Sequence, residues 1–471
     1  MGRILKVVIE NQYEFHGRQC YLSNGLHPLV ADYIKQQTFV EDTFNPHEFQ
    51  NRIEKANPNW RGNFTLSNFF YYFQKFYGNE SIVTLDQMQD DDAVYVYPIE
   101  INTTIDSLYE PHRLTFNGKT VEYTLLEILS PRVKRLLEHG QLKLLISNIQ
   151  DPCTEHSSIR KFEEQILAAG ISSSNLIYIF GNLYKNYKNV YPESPVKFTY
   201  GILPLQQQAQ GVLEFPRQTS LGYVSDIVRR EDVINTKNKI RSKKFLSFNR
   251  SLRSHRFYLA YLAQSNNMFA DSIFSFINVN NNRAEQIKDS IEKFAGKTIT
   301  TAELDKLMAL FPYELDTHDL DENQKRGFTT DCNKKDWYLD SYFHITSETS
   351  FDITIEGGAF FSEKTFRPII NLQPFIFVGN VDSLKTLKDL GFKTFHPFIN
   401  ESYDSEFDPV KRMQLITKEI LRLNRMPREQ LHKLYYKLQP IVAHNFEKFM
   451  SYKDTNPFEQ AVNDILKFNY D

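Results

Sequence analysis

Short runs of consecutive apolar residues alternate along the chain with stretches of helical period. In the first half the runs are Leu5–Glu10, Ala93–Tyr97, Leu142–Ser147 and Leu176–Phe180, with Gly201–Pro204 closing a last strand. In the second half they are Lys243–Arg250, Ile273–Ile277, Tyr342–Ile345 and Pro374–Val378, with a short run at Phe392–Phe395. Runs this short and apolar on both faces predict strands buried in a parallel sheet. Between them, Phe64–Tyr77 predicts a packed aromatic helix, and Thr120–His139 a helix pair or one long helix. Ser157–Ala169, Phe257–Leu262 and Ser383–Leu390 predict single helices, and Val410–Phe449 a helical region broken at Pro427 and Pro440. Alternating strand and helix predicts an α/β fold. The polar stretch Gln206–Lys239 divides it into residues 1–235 and 240–450, with a last helical segment at 451–471.

With 471 residues there is chain for two or three domains of about 150 residues. A hydrophobic fraction of 41% supplies their cores, and a net charge of −3 argues against a general nucleic-acid binder, which is usually basic. Cys20, Cys153 and Cys332 are too far apart for a zinc spacing or a disulfide framework, which points to a reducing compartment. The first residues, MGRILKVVIENQYEF, lack the apolar core of a signal peptide, and Lys6 stands where a myristoylation signal needs Ser or Thr. No run of 18 apolar residues offers a membrane span. The expectation is a soluble cytoplasmic protein.

The densest chemistry lies in Phe360–Asn380, FFSEKTFRPIINLQPFIFVGN. It reads as a turn bearing Glu363 and Lys364, a short helix, and a buried strand. The preceding strand, YFHI, runs into Thr346–Ser350 and sets Glu348 and Ser350 beyond its carboxyl end, where open α/β sheets bind ligands. A carboxylate there can accept hydrogen bonds from both ribose hydroxyls. An ammonium can offset a diphosphate, and a helix N-terminus near Thr365 adds free N–H groups. An adjacent Glu-Lys is also an ordinary solvated pair at a helix start; the flanking buried strands favour the site. Arg250, at the carboxyl end of the strand read over Lys243–Arg250, is a candidate second diphosphate contact. Arg367, one turn beyond Lys364, either assists with phosphate or faces solvent, and Arg256 reads as a helix-surface charge. There is no GxGxxG and no Walker motif, so cationic side chains would have to hold the phosphates. Asn400, Glu401 and Tyr403, in an exposed loop at 396–404, are placed to border a donor sugar.

SYFHITSETS, then FFSEK, a helix and PFIFVG, resembles the C-terminal motif of the α-1,3-fucosyltransferase family. With the runs GFKTF (391–395) and ESYD (401–404) it is also similar to glycosyltransferase-like sequences of viruses and bacteria. The resemblance implies a GT-B-like fold, two Rossmann-like domains facing across a cleft, with the last helix crossing back to the first domain. It implies transfer of fucose from GDP-fucose with inversion and no metal in the chemical step. It gives Glu363 a ribose contact and Lys364 a diphosphate contact, and matches Glu348 and Ser350 to the family's Glu-Asn-Ser triplet. Thr349 stands where the triplet has Asn, and Ser362 where the box usually has Thr. GDP is favoured through the resemblance alone, and UDP stays open. No further cofactor is expected.

An inverting transferase needs a base for the acceptor hydroxyl. The loop Asn148–His156 at a strand's carboxyl end offers Glu155, with Asp151 and His156 as alternatives, although Glu155 equally suits a helix start. Two rival readings remain. Asp316, Asp319, Asp321 and Glu322 would serve a metal-dependent glycosyltransferase, although the cluster lacks a preceding buried strand and reads better as a solvated turn, as does Asp90–Asp92. Alternatively the chain is a non-catalytic glycan-binding protein that keeps the fold. The partners expected are a nucleotide-sugar donor and a glycan or glycoconjugate acceptor.

Overall fold

A computed structural model describes residues 4–10, 12–15, 18–21, 24, 68–89, 92–100, 110–116, 119–148, 156–181, 194–202, 205, 209, 227–249, 253–276, 284–311, 335–352 and 358–468. The chain divides into two compact units, residues 1–203 with 456–471, and residues 204–455.

Unit 1 is built on strands β1 (Ile4–Ile9), β4 (Ile82–Thr84), β5 (Ala93–Glu100), β8 (Lys143–Asn148), β9 (Leu176–Phe180) and β10 (Lys197–Tyr200). They form one sheet in the order β10-β9-β8-β5-β1-β4, parallel throughout. Two antiparallel hairpins interrupt the alternation: β2 (Gln12–Phe15) with β3 (Arg18–Tyr21), and β6 (His112–Phe116) with β7 (Lys119–Tyr123). The second hairpin corrects the reading of Thr120–His139 as helix from its start. Its first residues are strand, and the helices are α2 (Leu125–Ile128) and α3 (Pro131–Glu138), after α1 (Asn68–Tyr77). The break between them is local chemistry. Thr124 and Glu127 form a capping box, Leu129 is extended, and Ser130 caps α3 with Pro131 at its first position. Helix α4 (His156–Ala168) joins β8 to β9.

The aromatic helix α1 buries Phe69, Phe70, Tyr72 and Phe73 in one cluster with Val7, Ile9 and Val96 of the sheet. The C-terminal helix, Glu459–Lys467, closes this cluster with Ala461, Val462 and Ile465. Just before it, Phe458 meets the Phe69 ring edge-on at 4.5 Å. Thr199 donates to Asp464 at 2.7 Å, and the Ile202 N–H donates to the Pro457 carbonyl at 3.0 Å. The end of the chain is therefore part of the first unit's core.

Unit 2 carries α5 (Arg230–Asn235), β11 (Lys243–Asn249), α6 (Ser254–Ser265), β12 (Ser272–Phe276), α7 (Ala284–Ala295), α8 (Thr301–Met308), α9 (Lys335–Asp340) and β13 (Ser341–Ser347). It continues with α10 (Glu363–Ile370), β14 (Phe375–Val378), α11 (Ser383–Asp389), α12 (Pro409–Arg425) and α13 (Arg428–Met450). Its sheet runs β12-β11-β13-β14, all parallel. The chain goes from β11 to one neighbour, β12, then returns to the other, β13. The carboxyl ends of β11 and β13 are thus a topological switch point, the place where such sheets leave a crevice.

Three readings of the second half are corrected. The units part at residues 203/204 rather than near 235–240. Helix α5 and the residues before it pack in unit 2: the Val228 N–H donates to Asn371, Asp232 pairs with Lys335 at 2.7 Å, and Tyr436 donates to the Val233 carbonyl. Pro440 does not break α13, whose buried face continues through Leu438, Val442, Asn445 and Phe449. Phe392–Phe395 is extended but joins no sheet. The Asn445 side chain bonds both the N–H and the carbonyl of Lys393, in place of a neighbouring strand. Beyond it, the loop at 396–404 is exposed as read at His396, Pro397, Phe398, Asn400 and Ser402, and is anchored by the buried Ile399 and Tyr403.

Phe458→Ala opens a cavity in the aromatic cluster. It should cost unit 1 about 3–5 kcal/mol in urea unfolding, with a change well under 1 kcal/mol counting against the terminal helix as a core element.

Candidate functional site

The site is assembled where β13 ends and α10 begins. β13 stops at Ser347, and Glu348 turns inward at 1% exposure. Its carboxylate accepts five hydrogen bonds. Three come from N–H groups: Thr349 at 3.0 Å, Ser362 at 3.1 Å and Thr365 at 3.2 Å. The other two come from the hydroxyls of Ser362, at 2.8 Å, and Thr365. Such a carboxylate caps α10 from outside the helix, satisfying N–H groups that the first turn leaves without partners. Glu348 thus serves as scaffold, with its oxygens engaged inside the protein. Ser350 stands two residues further in the same turn, half-buried.

The other end of Glu348 is fixed from α6. The His255 Nε2 and the Arg256 guanidinium both donate to its main-chain carbonyl, at 2.9 and 3.0 Å. Arg256 also bonds the Ser347 carbonyl and hydroxyl. The reading of Arg256 as a surface charge is therefore corrected: at 2% exposure it sits under the strand end. Burial lowers its pKa to about 10, which leaves it charged near neutrality. Burial likewise pushes His255 well below the ordinary histidine range, helped by the Arg256 charge, so its Nε2 carries a proton only as the neutral imidazole's donor. Arg412 completes the brace, donating to the Phe351 carbonyl and lying 4.7 Å from its ring centroid.

On this base stand Glu363 and Lys364. They are the first two residues of α10 and not a turn before it, because Ser362 is the N-cap and accepts from the Lys364 N–H. The Lys364 Nζ lies 2.5 Å from the Glu363 carboxylate and 3.2 Å from the Ser362 hydroxyl. About a quarter of Glu363 and a fifth of Lys364 remain exposed. Burial works against the Glu363 charge, but the Lys364 ammonium and the Arg367 guanidinium outweigh it and lower its pKa to about 2. Arg367, one turn on, is buried with its guanidinium 5.3 Å from the Phe248 ring centroid. The structure thus brings Glu348, Ser350, Glu363, Lys364 and Arg367 to one end of the unit 2 sheet.

Arg250 follows Asn249, the last residue of β11, and lies outside the described residues. So do Asp151, Glu155 and the acidic residues at 316–322; His156 is the first residue of α4. Among the described residues no group of three acidic, histidine or cysteine side chains is arranged to hold a metal. Near the proposed sugar border, Glu401 accepts from the Phe395 N–H at 2.7 Å and Tyr403 is fully buried, so both hold their own loop. His255, Arg256 and Arg412 are structural parts of the site that sequence reasoning passed over. A signal existed for Arg256: α6 is apolar on every side and leaves no solvated face for a cation.

No family model and no curated protein matches the chain. Among solved structures it is similar to the crystal structure of an alpha,alpha-trehalose-phosphate synthase (UDP-forming) from Burkholderia vietnamiensis. The identity is 10%, the match covers 96% of this chain and 98% of that one, and the TM-score is 0.33. A likeness that loose carries no argument. What the coordinates themselves define is an α/β protein of two Rossmann-like units, each with a parallel sheet. Among the described residues no helix is long and apolar enough to cross a membrane.

Two outcomes follow. Glu348→Ala removes the acceptor of five hydrogen bonds, leaving the Thr365 N–H its bond to the Ser362 carbonyl, and should cost unit 2 about 3–5 kcal/mol in urea unfolding, against a fraction of that if Glu348 were a surface group. Glu363 titrates near 4.5 unfolded and near 2 folded, so the folded state binds fewer protons between those values. Its contribution to stability is present above about pH 4.5 and lost as pH falls toward 2. Unfolding midpoints measured from pH 6 to pH 2 should therefore fall less steeply for Glu363→Gln than for the wild type; parallel curves would remove the ion pair as the cause.

Proposed function

We propose that the chain is a nucleotide-sugar-dependent glycosyltransferase of the GT-B class, with the donor nucleotide on unit 2. The observation that carries this reading is the half-buried Glu363–Lys364 pair at the N-terminus of α10, beside the β11/β13 switch point. A nucleoside diphosphate fits such a place. The Lys364 ammonium and the N-terminus of α10 offset the diphosphate charge, with Arg250 as a further cation from the end of β11. The Glu363 carboxylate is held ionised and accepts from the ribose hydroxyls. Glu348 acts behind them as the residue that sets the helix end. The resemblance of residues 341–380 to α-1,3-fucosyltransferases supports this assignment and favours a GDP-sugar, with fucose as the first candidate.

In the proposed reaction the acceptor hydroxyl oxygen forms a bond to the anomeric carbon while the bond from that carbon to the diphosphate oxygen breaks. The configuration inverts. The hydroxyl proton passes to a base on the loop 148–156, Glu155 first, or Asp151 or His156. The bonding electrons leave with the nucleoside diphosphate, whose growing charge the cations stabilise without a metal. The acceptor is a glycan or glycoconjugate hydroxyl, and the setting a cytoplasmic one.

A thermal-shift panel of GDP, UDP, CMP and dTDP with EDTA present tests this on wild type and Lys364→Ala. One nucleoside diphosphate at a hundred times its Kd should stabilise the wild type by about 2.7 kcal/mol, and the variant should lose that shift. A shift that needs Mn²⁺ would favour the metal-dependent transferase with the 316–322 cluster. No shift with any nucleotide would favour the glycan-binding protein.

A further inference from the structure

Among the described residues four arginines are buried in unit 2: Arg241, Arg256, Arg367 and Arg412. A buried guanidinium is tolerated when its N–H groups find acceptors. Arg241 donates to the Tyr338 and Ser341 carbonyls, and Arg256 to those of Ser347 and Glu348. Arg412 donates to the carbonyls of Glu406, Phe407 and Phe351. Arg367 differs. Among the described residues its guanidinium makes no hydrogen bond, and its Nη2 is withdrawn from solvent with no partner. Arg241 also keeps Nε and Nη2, and Arg412 its Nε, without a partner, but each bonds carbonyls through its other N–H groups; of the four, only the Arg367 guanidinium makes no such bond, and an acceptor from outside would satisfy it.

Its position says what kind of acceptor fits. The guanidinium lies over Phe248, next to the last residue of β11 and so at the switch point. Phe248 also meets Trp337 at 5.5 Å and the neutral His344 at 5.9 Å between ring centroids, and both Phe248 and Trp337 are half-buried. This is a flat, weakly charged wall. Glu363 is the carboxylate that both Lys364 and Arg367 act upon, so a diphosphate brought to Arg367 would have to settle beside that carboxylate. Glu363 and Lys364 stand at the first two positions of α10, and Arg367 one turn further in, over Phe248. A nucleotide runs phosphate, ribose diol, base.

We propose that Arg367 reads the nucleobase: its fork donates to a ring carbonyl of a keto base, guanine or uracil, that lies against Phe248. The proposal rests on the nucleotide site proposed above and replaces a phosphate role for Arg367.

Calorimetric titration of the full chain with GDP, UDP, ADP and pyrophosphate tests it, on wild type, Arg367→Met and Arg367→Lys. The wild type should bind GDP or UDP more tightly than ADP. Both variants should lose about 10- to 100-fold in affinity for that keto nucleotide, with ADP and pyrophosphate unchanged. Lysine fails here because it keeps the charge and lacks the fork. Without ligand, Arg367→Met should melt at the wild-type temperature or higher, since the attraction to Glu363 that it loses is offset by removing a desolvated guanidinium that makes no hydrogen bond. Equal weakening of pyrophosphate and GDP would make Arg367 a phosphate ligand and overturn the proposal. So would a fall in the ligand-free melting temperature of Arg367→Met together with unaltered GDP affinity in Arg367→Lys. Wild type that binds all four without preference for a keto base would sink this inference and leave the nucleotide site standing; wild type that binds none would sink both.

Discussion

Everything at the ligand end of unit 2 hangs on the five hydrogen bonds that the Glu348 carboxylate accepts. Burying a carboxylate costs several kcal/mol unless its lone pairs are filled. Here they are filled by charge-assisted bonds, and the group faces the positive end of α10. The helix gains as much as the carboxylate does. The Ser362 N–H would otherwise be unsatisfied in a buried place, and the Thr365 N–H would keep only the Ser362 carbonyl at 3.1 Å. The bond set ties the end of β13 to the start of α10 across fourteen to seventeen residues of chain. Because His255 and Arg256 grip the carbonyl of the same residue, the connection also runs into α6 and the far face of the sheet.

This scaffold explains why the next residues can be held ready for a ligand. Glu363 and Lys364 keep part of their surface open, yet their backbone positions are set by the cap beneath them. A binding group built on a rigid element loses little freedom when the ligand arrives. The two cations and one carboxylate also spare each other. Lys364 and Arg367 keep Glu363 ionised, and Glu363 keeps two cations from standing alone in a partly desolvated place. An incoming anion finds an ammonium already paired, so it must displace part of an existing contact. In the nucleotide site proposed above, that contact would disfavour weak anions and cost a diphosphate less, since a diphosphate brings more charge to the exchange.

The buried strands were legible because a parallel sheet covered on both faces demands consecutive apolar residues, and LKLLIS, LIYIF and PFIFV meet that demand without ambiguity. Residues 120–123 were not, because a hairpin strand of KTVEY alternates weakly and borders a true helix pattern. Pro440 misled because a proline is a break by local rules, whereas the buried face of α13 offsets the lost hydrogen bond. The candidate site was half legible. Glu363 and Lys364 could be placed, since a helix start between two buried strands fixes them. Glu348 was placed at the right end of the sheet and given the wrong partner. A carboxylate after a strand looks the same in sequence whether it faces a ligand or a helix N-terminus, and only the fifteen-residue return of the chain decides. The unit boundary was misplaced for a similar reason: polar composition at 206–239 conceals that α5 has Val233 buried.

The same bonds bear on where the motif differs from the α-1,3-fucosyltransferase pattern that it resembles. Ser362 replaces a threonine, and what the position must supply is a hydroxyl that donates to Glu348 and accepts from Lys364; serine does both. Thr349 replaces an asparagine, and what that position gives Glu348 is its main-chain N–H, which any residue but proline provides. Thr365, like Ser362, contributes both N–H and hydroxyl to Glu348, so both positions call for a hydroxyl side chain. The carboxylate at 348 accepts at both oxygens, which an amide could not do without turning a donor toward donors. Substitution at these sites is therefore constrained by which atoms point at Glu348, and the two departures fall where those atoms survive the exchange.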